Sequence, residues 1–253
     1  APDGRGGTLN FFELFNLSER YLELINPTSP AKVLEVGRVL GLHPGTRLID
    51  FGCGYAEPLK LWGEAYGISG VGIDIREHCC SRARAKLAAA GLADRIEIVC
   101  GPGADYRFPE HSYDVATCLG ASFIWQDFQA AVQALARAIV PGGRVAIGEP
   151  YWLTSNVPPA YAQKQGFHSE AEILRIVREE GFDLEYMVRA SLDDWDRYSS
   201  GNWYGLIRWL QDNPDHPERG DVIERLRTSQ DEYFGFEREY VGWAIFVLAP
   251  TRW

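Results

Sequence analysis

Between Arg47 and Glu57 the sequence RLIDFGCGYAE carries a short apolar run into an acidic residue, Asp50, and then into Gly52, Cys53 and Gly54. Glycine has no β-carbon, so this loop can turn through dihedrals closed to other residues and bring main chain against a bound molecule. The pattern predicts a strand that ends in a ligand loop, with the ligand lying on backbone. A Gly-x-Gly loop after a strand also opens dinucleotide sites, and alone it often marks only a tight turn. The dinucleotide pattern wants a third glycine where this chain has Glu57, at the start of the helix that would hold a pyrophosphate. A carboxylate there repels phosphate, so the loop suits a ligand without phosphates, such as S-adenosylmethionine (SAM).

A second acidic position supports this. The next apolar strand, expected over Gly70–Ile75, ends in Asp74, twenty residues beyond Gly54, the spacing at which a carboxylate meets a ribose diol. Asp74 and Glu77 also fit a capping box on the following helix, a role compatible with the first. From Asp50 to Ala56 the pattern D-x-G-x-G-x-A resembles motif I of class I SAM-dependent methyltransferases. The resemblance implies SAM as cofactor, with contacts at Asp50, Gly52, Cys53, Gly54, Asp74, Ile75, Gly103, Ala104, Asp105 and Leu119. One departure is visible in CGPGADYRF, where the family's acidic residue near the adenine amino group is replaced by Gly103. Asp105 can serve if the loop shifts by two residues; otherwise backbone carbonyls or water meet the amine.

Methyl transfer from a sulfonium chiefly requires an acceptor lone pair held in line, and the acceptor must also lose a proton. The carboxyl edge of an α/β sheet is where both needs are met. Glu149 is expected there, directly after a fifth strand and followed by Pro150, Tyr151 and Trp152. This predicts an acceptor site lined by Glu149, Tyr151 and Trp152, with the carboxylate as base or as anchor for a cationic acceptor; the plainer reading is a solvated strand-end carboxylate. Further on, Trp195, Tyr198, Trp203, Tyr204 and Trp209 crowd beside Asp193, Asp194 and Asp196. Most of these rings read as an aromatic core, with some available to face the acceptor. The five histidines offer no metal constellation, and no metal is expected. Cys79-Cys80 suggests a thiophilic acceptor such as arsenite, but adjacent helical residues face different directions and the helix is expected to lie away from the strand ends. A structural role is favoured there, and packing roles for Cys53 and Cys118.

The elements that must position these residues alternate between helix and strand, the β-α-β signature of a parallel sheet. Expected strands are Arg47–Phe51, Gly70–Ile75, Arg95–Cys100, Tyr113–Leu119, Arg144–Gly148, Phe182–Val188 and Tyr240–Leu248. Helices are expected near Pro30–Leu40, Pro58–Tyr66, Arg76–Ala90 and Asp127–Ile139, with a break at Pro141-Gly142-Gly143. A further helix from Leu9 to Ile25, stopped by Asn26-Pro27, has apolar residues on more than one face and reads as a lid. Residues 191–236 form a long insertion between strands six and seven, with an aromatic-rich helix and a charged one over Glu218–Tyr233. Together these predict a single methyltransferase domain over residues 1–253: an N-terminal helical lid (1–45), an α/β core (46–190 and 237–253) and the helical insertion (191–236). The core is a seven-stranded, doubly wound, mostly parallel Rossmann-like sheet. The segments GEPYW (Gly148–Trp152), WDRY (Trp195–Tyr198) and RWLQDNPD (Arg208–Asp215) resemble the YjhP-like bacterial methyltransferases.

Composition narrows the partners. A net charge of −10 over 253 residues opposes binding to nucleic acid, whose affinity comes largely from Lys and Arg on phosphates. Five cysteines without C-x-x-C spacing, no apolar run of membrane-spanning length and no signal-peptide pattern predict a soluble, cytoplasmic protein. Residues 1–8 read as a disordered or appended tail. The expected activity is SAM-dependent methyl transfer to an O or N atom of a small molecule. The alternatives are a macromolecular methyltransferase, which would want an exposed basic face, and a SAM-binding protein without catalysis.

Overall fold

A computed structural model describes residues 9–251; the tail expected at residues 1–8 lies outside them. Five strands run parallel: β1 (Arg47–Phe51), β2 (Ser69–Asp74), β3 (Ile96–Cys100), β4 (Tyr113–Leu119) and β5 (Ile139–Trp152). A short β6 (His168–Ser169) pairs with the end of β5, and β8 (Val241–Pro250) runs antiparallel between β5 and β7 (Phe182–Arg189). The main order is β3-β2-β1-β4-β5-β8-β7. The chain reverses direction across the sheet between β1 and β4, and the crevice beyond their carboxyl ends is where open α/β sheets bind ligands.

Both faces of the sheet are covered, which is why β1, β4 and β8 are buried almost throughout rather than at alternate residues. One face packs α2 (Pro30–Val39), α3 (Glu57–Tyr66) and α4 (Glu77–Ala89) around Leu48, Trp62, Leu87 and Ile245. The other packs α5 (Phe128–Ala138) and α7 (Glu170–Glu179) around Ile49, Phe128, Leu135 and Phe246, with the short α6 (Pro159–Gln165) between them in the chain. Trp62 and Tyr66 on α3 donate to the carbonyls of Val33 and Leu34 at 2.7 and 2.6 Å, fixing α2 to the core. A helical layer of α1 (Phe11–Glu19), α8 (Leu192–Asp212) and α9 (Arg219–Glu232) has its own apolar centre at Leu206, Trp209 and Val222, against which Leu14 and Leu17 pack. Close approach of α1 to α8 needs Gly205, where a β-carbon would lie 2.6 Å from the carbonyl oxygens of Leu17 and Ser18.

Three elements differ from the sequence reading, each through a distant partner. The first helix stops at Glu19 rather than running to Ile25. Arg82 on α4 donates to the carbonyls of Arg20 and Leu22 at 2.6 and 2.7 Å, holding residues 20–24 in an irregular path across the sheet end. The fifth strand does not begin after the Pro-Gly-Gly break. It spans Ile139–Trp152, with residues 140–143 looped out between the pairs Tyr113↔Ile139 and Val115↔Arg144. Pairing with β8 continues through Glu149↔Ala244 to Trp152↔Val241, so GEPYW is strand and not the segment after it. Pro150, which has no N–H, lies beyond the last pair with β4, Leu119↔Gly148, where it breaks no ladder on that side. The two-residue β6 is additional to the seven expected strands.

Candidate active site

The glycine loop is shaped by the strand ends around it. Gly52 and Gly54 adopt φ of 70° and 54°, the left-handed region that favours glycine. The N–H groups of Gly52 and Cys53 donate to the carbonyl of Ile73 at 2.8 and 3.0 Å, tying the loop to β2. Asp74 fixes the rest: one carboxylate oxygen accepts from the Gly54 N–H and the other from the Arg76 N–H, each at 2.9 Å. No side chain caps α4, so the Asp74–Glu77 capping box is not formed. Beneath the loop Asp50 is buried and accepts from the Thr117 hydroxyl at 2.6 Å. Burial pushes its carboxyl up to about 7 against that hydrogen bond, and the nearby Asp74 charge adds to the rise.

Around this loop lie the other residues expected to contact a cofactor. Ile75, half exposed beside Asp74, offers an apolar surface to a base. Gly103, Ala104 and Asp105 form one turn of 3-10 helix, and Gly103 abuts Ile124 so closely that a β-carbon would lie 3.2 Å from it. Asp105 is exposed on that turn. Leu119 ends β4, and its carbonyl accepts from the Asn26 amide at 3.4 Å. Cys53 is buried and packs toward Gly72 and Leu59. The cradle fits a nucleoside-bearing ligand: a backbone floor made by glycine, a carboxylate for a diol and an apolar side chain for the base. Glu57 is not the isolated charge expected, since it pairs with Lys86 at 2.6 Å. Its repulsion of a pyrophosphate is therefore weakened, and the ion pair does more to fix α3 to α4.

At the end of β5 the three residues expected together are divided by strand alternation, which sends neighbours to opposite faces. Glu149 and Tyr151 share the face of Ile147, while Trp152 lies on the other, where its ring meets Tyr161 and Phe167 at 5.7 and 5.1 Å. Tyr151 is fully buried against Phe246 and Gly242 as part of the core, a correction to its placement as a wall beside Trp152. Glu149 is buried, and its Oε2 has no hydrogen-bond partner among the described residues. Burial raises its carboxyl to about 7, opposed by the Ser122 hydroxyl. A buried carboxylate with an idle oxygen at the carboxyl edge is the group best placed to take a proton.

Several functional neighbours carried no sequence signal. Ile25 lies against the loop, its Cδ1 2.9 Å from where a β-carbon on Gly54 would be, and Asn26 and Thr28 are buried beside it. Glu19, the last residue of α1, is buried with Oε2 2.8 Å from the Arg76 guanidinium, an ion-pair distance without hydrogen-bond alignment. Burial raises its carboxyl, with Arg76 acting against it. Arg76 in turn approaches Asp74 at 4.0 Å, which connects the helical layer to the cofactor cradle. Cys79 and Cys80 are buried in the first turn of α4, and the Cys80 thiol donates to the Asp74 carbonyl at 3.3 Å. That turn adjoins the strand ends, contrary to expectation. Burial holds both thiols well above their usual range, which keeps them protonated. Among the described residues no group of three or more His, Cys, Asp or Glu is placed to hold a metal.

Two cavities stand out. The larger, about 470 Å³, lies at the amino ends of β1 and β4 near Thr46, Asp114 and the looped-out Pro141–Gly143, at the opposite end of the strands from the glycine loop. The other, about 200 Å³, lies within the helical layer between α1, α8, α9 and the turn after α9. Tyr198, Trp203, Tyr233 and Glu237 line it, and Tyr198 feels the charges of both Glu237 and Glu19.

Comparison with known proteins agrees with this geometry. Residues 49–147 match the Methyltransferase domain family. YjhP of Escherichia coli K12 is 34% identical over 241 residues, covering 93% of this chain and 97% of that one. A SAM-dependent methyltransferase of Geobacter sulfurreducens, solved in complex with S-adenosyl-L-homocysteine, superposes with a TM-score of 0.88 at 34% identity, over 96% of this chain and 100% of that one. A 24-methylenesterol C-methyltransferase of Oryza sativa is 30% identical, over 66% of this chain and 50% of its own length. No helix among the described residues is long and apolar enough to cross a membrane. The fold, the glycine loop and these relatives together make the chain a member of the SAM-dependent methyltransferase family, in the group that contains YjhP, with SAM as its cofactor.

Proposed function

We propose that the enzyme methylates an O or N atom of a small molecule, with Glu149 as the general base. The observation that carries this is the buried Glu149 carboxylate, with an idle oxygen and a carboxyl raised to about 7. A base is most effective when its pKa lies near the working pH. Bound SAM supplies a methyl group already activated by its sulfonium. In the assigned roles Asp74 holds the ribose diol, Gly52 and Gly54 let the main chain approach the cofactor, and Ile75 and Gly103–Asp105 flank the base. Asp50, Cys53 and Leu119 support the loop from beneath. Residues 20–28, whose Arg20 and Leu22 carbonyls accept from Arg82 and whose Ile25 lies against Gly54, would cover a cofactor on the loop. An acceptor oxygen or neutral nitrogen held in line with that methyl group would give up its proton to the Glu149 carboxylate.

A small acceptor is supported by the limited volume of the 200 Å³ cavity and by the acidic balance of the chain, which disfavours RNA and DNA. The test is a coupled assay for S-adenosylhomocysteine release over a library of amines, alcohols and phenols, with the methyl position located by NMR. Turnover giving a new O–CH₃ or N–CH₃ group is expected. A methyl group found on carbon, or turnover only with RNA or protein, would overturn the reading.

A further inference from the structure

We propose that the cavity between α1, α8 and α9 receives an ammonium group of the acceptor, held by the Glu237 carboxylate among the rings of Tyr198, Trp203 and Tyr233. This rests on the methyltransferase reading and names the substrate class. Glu237 ends a π-helical turn, Tyr233–Glu237, a wide and costly backbone form that recurs at functional sites. Its carboxylate lines the cavity, is half-buried, and has no hydrogen-bond or ion-pair partner among the described residues. A partly desolvated charge gains from an opposite charge beside it.

The surroundings indicate the sign of the missing partner. Glu232, the other carboxylate on the cavity, is already engaged by Lys164 and by the Gln165 amide, at 3.2 and 2.7 Å. The one cation among the lining residues, Arg225, lies 4.9 Å over the Phe15 ring. Trp203 and Tyr233 meet edge to face with ring centres 5.5 Å apart, and the Trp203 indole N–H is satisfied by Ser229. The faces of these rings attract a cation. A neutral donor could hydrogen-bond Glu237 but would not offset its charge, and an anion would add to the acidic balance of the wall.

The charges acting on Glu237 are Glu232, Arg225 and Lys164, and with burial dominating its carboxyl stands at about 7. A bound cation favours the ionised form, so affinity should rise with pH through that value. The test uses the full chain and two probes of nearly equal shape, benzylammonium and benzyl alcohol, titrated calorimetrically with and without S-adenosylhomocysteine. Benzylammonium is expected to bind at least tenfold more tightly at pH 8, with the preference shrinking at pH 6. Glu237→Gln should abolish the preference while melting and S-adenosylhomocysteine affinity are retained. Equal binding of the two probes, or a preference that survives Glu237→Gln, overturns the proposal and leaves the methyltransferase reading standing. A cation preference in a protein that binds no S-adenosylhomocysteine supports the cation site and removes the reading it was attached to.

Discussion

The two halves of the site are built by different means. The cofactor half is made of main chain: Gly52 and Gly54 turn the loop through the left-handed region, and one carboxylate, Asp74, ties Gly54 of that loop to Arg76 at the head of α4. The proposed acceptor half draws on side chains brought from far apart. Ser18, Tyr198, Arg225 and Glu237 meet around one cavity, and Glu149 reaches the edge from the middle of a paired strand. A backbone cradle constrains a few adjacent residues tightly. A side-chain pocket constrains many separated residues loosely, so it can change its ligand while the cradle stays the same.

Substitutions should separate the halves, most severely in the cradle. Gly52→Val puts a branched side chain at φ 70°, with its β-carbon 2.5 Å from that of Ala121. Backbone strain of this kind costs about 1–3 kcal/mol before any contact is lost, so S-adenosylhomocysteine affinity should fall by on the order of a hundredfold, read by calorimetry. Unchanged affinity would show that the loop does not carry the cofactor. Asp74→Ala removes a charged hydrogen-bond acceptor, worth roughly 1.5–3 kcal/mol. Its affinity should drop about ten- to a hundredfold. If it does not, Asp74 serves only to brace Gly54 and Arg76.

A smaller effect sharpens the comparison from the acceptor side. Folding raises the Glu149 carboxyl from 4.5 to about 7. Between those values the unfolded chain releases this proton more readily than the folded one, so this group's contribution to stability is lost as pH rises from about 4.5 to 7. Glu149→Gln removes that penalty, offset in part by burial of the amide, and should raise Tm at pH 8 by about 2–4 °C for each kcal/mol gained, with a smaller gain at pH 5. A Tm difference that does not change with pH would mean that Glu149 is not desolvated.

The same contrast explains what could be read in advance. The glycine loop, Asp74 and β1 to β4 followed from local patterns because each is set by neighbouring residues and a sheet covered on both faces. The end of α1 could not be read that way. Residues 20–25 are apolar enough for helix, and only Arg82, sixty positions on, draws their carbonyls away. The length of β5 depends on β8, nearly a hundred residues later, which turns a segment expected beyond the strand into part of it. That shift decides the facing of each residue in GEPYW, and so places Tyr151 in the core while leaving Glu149 at the edge. Glu19 and Glu237 gave no signal because a buried or cavity-lining carboxylate looks like any other glutamate until its surroundings are known.

The claim that the acceptor half does its chemistry through Glu149, independently of the cradle, is tested most directly by Glu149→Gln, measured for turnover and S-adenosylhomocysteine affinity on the same preparation. The substitution keeps the shape and removes the proton acceptor, whose loss costs on the order of a hundredfold or more in a well-placed general base. The account predicts turnover at least about tenfold lower, with affinity within about threefold of wild type. Normal turnover would contradict it and move the search for the base to the cavity around Tyr198 and Glu237.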